Sequence, residues 1–319
     1  MDVLAQNFGR PLTVQEVSDQ AKALHGKAHY ANTYHALERM RKAGLIRWDR
    51  KGRTAVIQLE PASQLLQDHL AALASWNRLR LFASRPDAAD KAHDLGLALS
   101  AEPGLESAWL LEAERSVRLN RFPILRLYVG TRPNPAPRLG GATRADAAID
   151  DIAMGRDAFQ GRLALPGAEP LRAWFASSVC LVGADRFWLG MLHSARRGAS
   201  AWLATRYEDA DEGAVAANLG RFGYEEFGAK TAQAPLMALE TLAWNVMRSG
   251  SARQKRGLGQ VLAENEFDET LLGFMLRREG VDVCKALAGI IASTNRKSPR
   301  MRRLQGVLRA RVSKRLTRR

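Results

Sequence analysis

Cysteine is nearly absent. Cys180 and Cys284 are the two in 319 residues, each inside an apolar stretch ("SSVCLVG", "VDVCKAL"), and neither has a Cys or His nearby at metal-ligand spacing. Zinc is therefore not expected, and both thiols should be buried and reduced. No apolar run approaches the ~18 to 20 residues that a membrane span needs, and the N-terminus lacks a cationic start followed by an apolar core. A cytoplasmic protein without a membrane span is the expectation. Glycine loops of the P-loop or Rossmann kind are also missing, so no cofactor is expected. One absence is local: residues 295 to 319 contain no Asp or Glu against eleven Lys and Arg.

What is present is ordinary in bulk, with 46% apolar and 25% charged residues, enough to build a folded core. The net charge of +15 is not ordinary and favours polyanionic partners, nucleic acid before acidic lipid. Its placement sharpens the point. Residues 1 to 60 carry ten Lys and Arg against six acids, so with the basic end they account for the whole excess and leave the middle balanced. A merely arginine-rich genome would spread the charge evenly.

In "RPLTVQEVSDQAKAL", Thr13 and Glu16 have capping-box spacing after Pro11, which predicts a helix starting near Val14. Val14, Val17, Ala21 and Leu24 would form its apolar face. After the connection "HGKAHYA", Asn32 or Thr33 is expected to cap a second helix with Ala36, Leu37 and Met40 inward, ending at Ala43 and Gly44. Asn32, His35, Arg39 and Lys42 then share the opposite face. "LIRWD" and "TAVIQLE" read as antiparallel strands joined at Gly52, with Arg50, Lys51 and Arg53 at the tip.

The stretch "NTYHALERMRKAGLIRWDRKGR" resembles the recognition helix and wing of MarR/ArsR-type winged-helix DNA-binding proteins, over about residues 3 to 60. The resemblance implies that the second helix lies in the major groove with Asn32, Thr33, His35 and Arg39 near bases and Lys42 on the same face. It places Arg50, Lys51 and Arg53 near phosphates. The residue chemistry agrees, since Asn and Arg make paired hydrogen bonds to base edges and cations at a mobile tip release counterions. A module that contacts proteins through a solvated charged face is the competing reading.

Residues 61 to 82 predict a long amphipathic helix with Leu65, Leu66, His69 or Leu70, Leu73 and Trp76 on one side, suited to a homodimer contact or a link to the next domain. Residues 83 to 104 read as a boundary. Beyond it, "SAWLLEAERSV" suggests helix, "FPILRLYVG", "SSVCLVG" and "FWLGMLHS" suggest strands, and "ASAWLATRYE" suggests strand or short helix. "APLMALETLAWNVMRSG" is a helix with Leu236, Leu239, Leu242, Ala243 and Val246 inward. Everything after 250 reads as helical, including a hairpin broken at Gly280 with Asp268 and Asp282 at the helix starts.

Catalytic signals are weak. "YVGTRPNPAPRLGG" followed by "AIDDIA" is similar in order to a nucleotidyltransferase, but it lacks Gly-Ser, and Asp150 and Asp151 are adjacent. Paired metal-binding carboxylates on a strand need a spacing of two. His193 with Ser194 lacks a partner acid, Glu225 and Glu226 sit among packing aromatics, and Trp174, Trp188 and Trp202 suit a core. No catalytic or metal residue is assigned.

In the basic end, Met301, Leu304, Leu308, Val312 and Leu316 recur at helical spacing. Arg296, Lys297, Arg300, Arg302, Arg303, Arg309, Arg311, Lys314 and Arg315 fill the gaps. Such a helix can lie on DNA or RNA, adhere to acidic lipid or a protein, or remain a solvated end. The sequence thus predicts an α+β protein with a winged helix (1–60), a connecting helix and linker (61–104), an α/β middle domain (105–250) and a helical basic C-terminal region (251–319). The leading functional expectation is a DNA-binding transcription regulator. In architecture alone it also resembles autorepressing antitoxins of the abortive-infection class. A subunit of a plasmid or defence-system nucleoprotein complex and a degenerate nucleotidyltransferase relative are the alternatives.

Overall fold

In a computed structural model, the described residues are 1–52, 54–130, 148–165, 169–198, 201–204, 210–227, 234–294 and 298–316. They form a mixed α+β architecture with two small sheets. The chain divides into two compact units, Met1–Leu165 with Leu171–Tyr207, and Pro166–Pro170 with Glu208–Arg319.

The first unit opens with α1 (Asp2–Gln6), β1 (Leu12–Thr13), α2 (Val14–His25), α3 (Tyr30–Lys42), β2 (Ile46–Lys51) and β3 (Thr54–Leu59). Thr13 and Glu16 form the expected capping box: the Thr13 hydroxyl accepts from the Glu16 amide and the Glu16 carboxylate from the Thr13 amide at 2.7 Å. Val14 and Val17 are buried, whereas Leu24 faces solvent. Gly44 and Gly52 have φ of 69° and 64°, the left-handed values that end α3 and turn the hairpin. β2 pairs with β3 from Ile46↔Leu59 to Lys51↔Thr54, and β1 adds to the other edge of β3, giving the order β1-β3-β2.

The chain continues through α4 (Gln64–Ala83), α5 (Pro86–Ser100), β4 (Leu105–Leu110), α6 (Ala113–Arg118), β5 (Arg121–Tyr128), β6 (Ala148–Gly155), α7 (Arg156–Ala164), α8 (Glu169–Ala176), β7 (Val179–Val182) and α9 (Ala184–Arg196). A four-stranded sheet of order β6-β5-β4-β7 holds one parallel pair, β5 with β6, and two antiparallel pairs. One face packs Ala108, Leu110, Phe122 and Ile124 against Ala92, Leu95 and Leu99 of α5. Across the other face Trp109 lies 4.7 Å from Phe187 and 4.8 Å from Phe175, in an aromatic layer that also includes Phe159 and Trp188.

Three expectations are corrected here. Residues 83–104 contain α5, docked on the sheet through Ala88, Ala92, Leu95 and Leu99, rather than only a linker. "SAWLLEAERSV" contributes β4, whose every residue is buried, before the short α6; a strand covered on both faces has no alternation to betray it. "FWLGMLHS" is helical, within α9. The row expected along α4 is also split: Leu66 and Leu70 are buried, but Leu65 and Trp76 face solvent.

The N-terminal module packs directly onto the α/β part of this unit. Phe8 meets Trp188 at 5.7 Å, Asn77 donates to Asp2 at 2.9 Å, and the Leu203 amide donates to the Phe8 carbonyl at 2.8 Å. At Gly9 a β-carbon would stand 2.4 Å from the Ala201 carbonyl, so only glycine permits this approach.

The second unit is helical among the described residues: α10 (Glu212–Arg221), α11 (Leu239–Ser249), α12 (Ala252–Glu264), α13 (Glu269–Glu279), α14 (Val281–Ser293) and α15 (Pro299–Leu316), with a single 3-10 turn at Glu225–Phe227. Leu242, Ala243 and Val246 are buried in α11 as expected, but Leu236 precedes the helix and is exposed. Asp268 caps α13, accepting from the Thr270 and Leu271 amides, and Gly280 breaks α13 from α14 with a φ of 125°. Cys180 and Cys284 are both buried and neither is in a disulfide. Burial pushes the Cys180 thiol up to about 12.

Candidate nucleic-acid interface

α3 begins at Tyr30, ahead of the Asn32 or Thr33 expected to cap it, and no side chain caps it. Its inward side is anchored by buried Leu37. Asn32, His35, Arg39 and Lys42 are all exposed, one row on the opposite side. Thr33 does not join them. It is half-buried, and its hydroxyl donates to Ser18 of α2 at 3.5 Å, so it serves the α2–α3 contact.

Two residues outside the expected set fix the hairpin relative to this helix. Tyr34 stands edge-on to Trp48 of β2, with ring centroids 5.4 Å apart, and its other neighbour is the His35 ring at 6.0 Å. Arg47 ties β2 to β3 through Gln58 at 2.7 Å. The sequence signal was the aromatic at 34 beside the polar row, facing a tryptophan on the adjoining strand.

Ion pairing decides where free charge remains. Glu38 pairs with Arg41 at 3.2 Å, Asp49 with Arg47 at 3.7 Å and Glu16 with Arg10 at 3.7 Å, while Asp2 accepts from Asn77 at 2.9 Å and has the His25 ring at 3.6 Å. Asp19 and Glu60 accept from Gln15 and from the Ala62 amide. These exposed contacts add little stability. Their effect is to leave Arg39 and Lys42 on α3 and Arg50 near the hairpin tip with no acid at ion-pair distance among the described residues. Arg53, Arg296 and Lys297 lie outside the described residues; for Lys51, Arg309, Arg311, Lys314 and Arg315 only the backbone is described.

In α15, Met301, Leu304 and Leu308 are buried against α13 and α14, which docks the first half of the helix. Arg300 donates to the Phe267 carbonyl at 2.7 Å and pairs with Glu266 at 3.3 Å, while Arg303 pairs with Glu269 at 2.6 Å. Those two cations are thus partly neutralised. Arg302 is exposed.

The acids that evoke catalysis are occupied. Asp151 lies opposite Ile124 in the β5–β6 register and accepts from the guanidinium of buried Arg126 on the same sheet face. Arg126 also donates to Glu102 at 2.8 Å and to the Tyr128 hydroxyl at 3.1 Å, and Tyr128 donates to Glu102. Burial, then the Glu102 hydrogen bond, pushes the Tyr128 phenol up. Asp150, the adjacent residue, alternates to the other face. His193 is exposed on α9, Ser194 donates to Gln160 at 2.6 Å, and Glu226 pairs with Arg253 at 2.8 Å. Trp174 and Trp188 are core residues, and the Arg172 guanidinium covers the Trp202 ring at 3.6 Å.

A second buried acid, Glu106 on β4, has Arg156 at 3.4 Å and a second oxygen without a hydrogen-bond partner. Burial pushes its carboxyl above the ordinary range, against the pull of Arg156. Gly190 of α9 makes room for the pair: a β-carbon there would lie 2.8 Å from Arg156 Cδ.

Among the described residues no group of three His, Cys, Asp or Glu side chains could hold a metal ion, and no helix is long and apolar enough to cross a membrane. No family model matches the chain, and no curated protein or solved structure matches it.

Proposed function

We propose that this protein binds nucleic acid and that its N-terminal module reads duplex DNA as a winged helix, in the service of transcriptional regulation. One observation carries the proposal: Asn32, His35, Arg39 and Lys42 line one exposed face of α3, and the module's acids are engaged with other partners. The element order supports it. Helix, short strand, two helices and a hairpin, with β1 added to β3, is the order of a winged helix.

In this reading α3 enters the major groove, where Asn32 and Arg39 have the donor geometry for adenine and guanine edges. Lys42 and Arg50 meet phosphates and set the register without reading sequence. The basic end of α15 adds affinity that is indifferent to sequence. Autorepression of the antitoxin kind is one use such a regulator would have. Nucleotidyl transfer has less support, because Asp151 is committed to Arg126.

The test is selection of a preferred duplex from a random library, followed by mobility shifts with the wild type and Arg39→Ala. Loss of a bidentate base contact should weaken the preferred site by about 1–3 kcal/mol, roughly 5- to 150-fold, while random duplex is bound almost as before. Equal affinity of the variant and the wild type for the selected site would overturn the assignment of α3.

A further inference from the structure

Residues 240 to 279 carry six Lys and Arg against six Asp and Glu, so along the chain they look neutral. The fold sorts them by sign. At the start of α11 the Glu240 carboxylate accepts from the Asp268 amide, just ahead of α13, at 2.6 Å. Near the end of α11, Arg248 pairs with Glu279 at the end of α13 at 3.4 Å. The two helices therefore run side by side in one direction. Between their ends α12, about 20 Å long, returns from the Arg248 side to the Asp268 side. Glu240, Glu264, Glu266, Asp268 and Glu269 collect at one end of the three helices, and all six cations stand toward the other, with Glu279.

The acidic end is used inside the protein. Asp268 caps α13, and Glu266 and Glu269 pair with Arg300 and Arg303 of α15. From there α15 runs parallel to α13: Arg303 lies at Glu269, and a β-carbon at Gly273 would stand 3.0 Å from Val307 and 3.5 Å from Leu304. Its backbone continues as helix to Leu316. By helix rise, the residues from 309 on arise beside the last turn of α13 and past it, at the cationic end.

Folding does not account for that cationic end. α12 opens with Arg253, Lys255 and Arg256 and has no acid in its first turn, the arrangement that the helix dipole disfavours. Arg248, Arg253 and Arg256 are exposed. The Arg248 guanidinium lies over the Trp244 ring at 4.2 Å and that of Arg253 over Phe227 at 4.8 Å, so their planes are held in place. Glu279 and Glu226 pair with Arg248 and Arg253, and Asp282 opens α14 close by, which still leaves an excess of cations. Planar guanidinium groups match phosphate oxygens. Lipid is not favoured, because none of the exposed large apolar side chains among the described residues lies on α11, α12 or α13. We infer that this end of the helical unit is a second phosphate-binding surface, where Arg248, Arg253, Lys255 and Arg256 hold the backbone of duplex DNA alongside the basic half of α15. The inference rests on the reading that the chain binds nucleic acid, but not on α3 being the element that reads sequence.

The test is fluorescence anisotropy of the full chain on a random-sequence DNA duplex, from low to high salt. One variant combines Arg253→Gln, Lys255→Gln and Arg256→Gln, with its helix content checked by circular dichroism. Each phosphate contact adds about −0.9 to the slope of log affinity against log salt, so this variant should lose up to about 2.7 from it. Preferred and random duplexes should weaken by the same factor. A matched variant, Arg85→Gln with Arg118→Gln and Arg121→Gln, removes as much charge from exposed places on the first unit and should change the slope by less than about one. An unchanged slope in the α12 variant, or an equal fall in both variants, would overturn the proposal. A slope lost in the α12 variant alone, on a chain for which selection finds no preferred duplex, would sink the assignment of α3 and leave this surface standing.

Discussion

Two carboxylates, Glu102 in the turn before β4 and Glu106 on that strand, are buried on different terms. Glu102 shares Arg126 with Asp151 and also accepts from Tyr128, so its charge is compensated. Removing Arg126 would leave that charge inside the protein alone, and Arg126→Ala should cost about 3–5 kcal/mol in denaturant unfolding. Glu106 has one oxygen unpartnered, and its folded-state carboxyl titrates above the ordinary range. The folded protein therefore holds that proton more tightly than the unfolded chain. Stability falls as pH rises from the ordinary glutamate range through the raised value. Glu106→Gln keeps the shape and removes the ionisation, so it should stabilise at neutral pH and flatten this slope. Gln leaves a polar atom at the unpartnered place and weakens the Arg156 contact, so the gain should be small, on the order of 1 kcal/mol. Melting temperatures of both proteins across pH 4 to 8 check it, and a steeper slope in the variant would contradict the burial account.

Elements with local capping or turn chemistry were legible in the sequence, as were the buried β5, β7 and α11, whereas β4 and α9 were not. Thr13 and Glu16 announced α2 because capping is local chemistry, and Thr13→Ala should cost about 0.5–2 kcal/mol of thermal stability. Gly44, Gly52 and Gly280 marked turns for the same reason. In α3 the polar row could be seen because Leu37 had to face inward, though the helix starts earlier than expected and takes Thr33 into a packing role. β4 and α9 carry no such signal. "LESAWL" is covered on both faces, and in α9 the buried Phe187, Trp188, Met191 and Leu192 share one face with Leu189 and His193 outside, but the apolar run "FWLGML" is too short to show its period. The Arg126 cluster was invisible because its members come from residues 102, 126, 128 and 151, joined by strand pairing rather than by spacing. Along α4 the sequence shows many leucines, but only the fold separates the buried Leu66 and Leu70 from the exposed Leu65 and Leu79.

At the scale of the whole chain the charge excess sits at the two ends, and the structure changes how the C-terminal end must be tested. Deleting everything from residue 296 would also strip Met301, Leu304 and Leu308 from α13 and α14. Lost binding could then reflect a damaged helical unit. Ending the chain after Leu308 keeps those anchors and the Arg300 and Arg303 ion pairs, yet removes Arg309, Arg311, Lys314, Arg315, Arg318 and Arg319. Each phosphate contact adds about −0.9 to the slope of log affinity against log salt on duplex DNA, so the shortened chain should lose up to about 5 from that slope. Affinity for preferred and random duplexes should fall by the same factor, because phosphate contacts carry no sequence information. Arg39→Ala should show the reverse pattern, a sequence-dependent loss with a slope changed by less than about one. Measuring both variants from low to high salt separates the two ends of the molecule. An unchanged slope in the shortened chain would mean that its six cations meet no phosphate and that the basic end has another use.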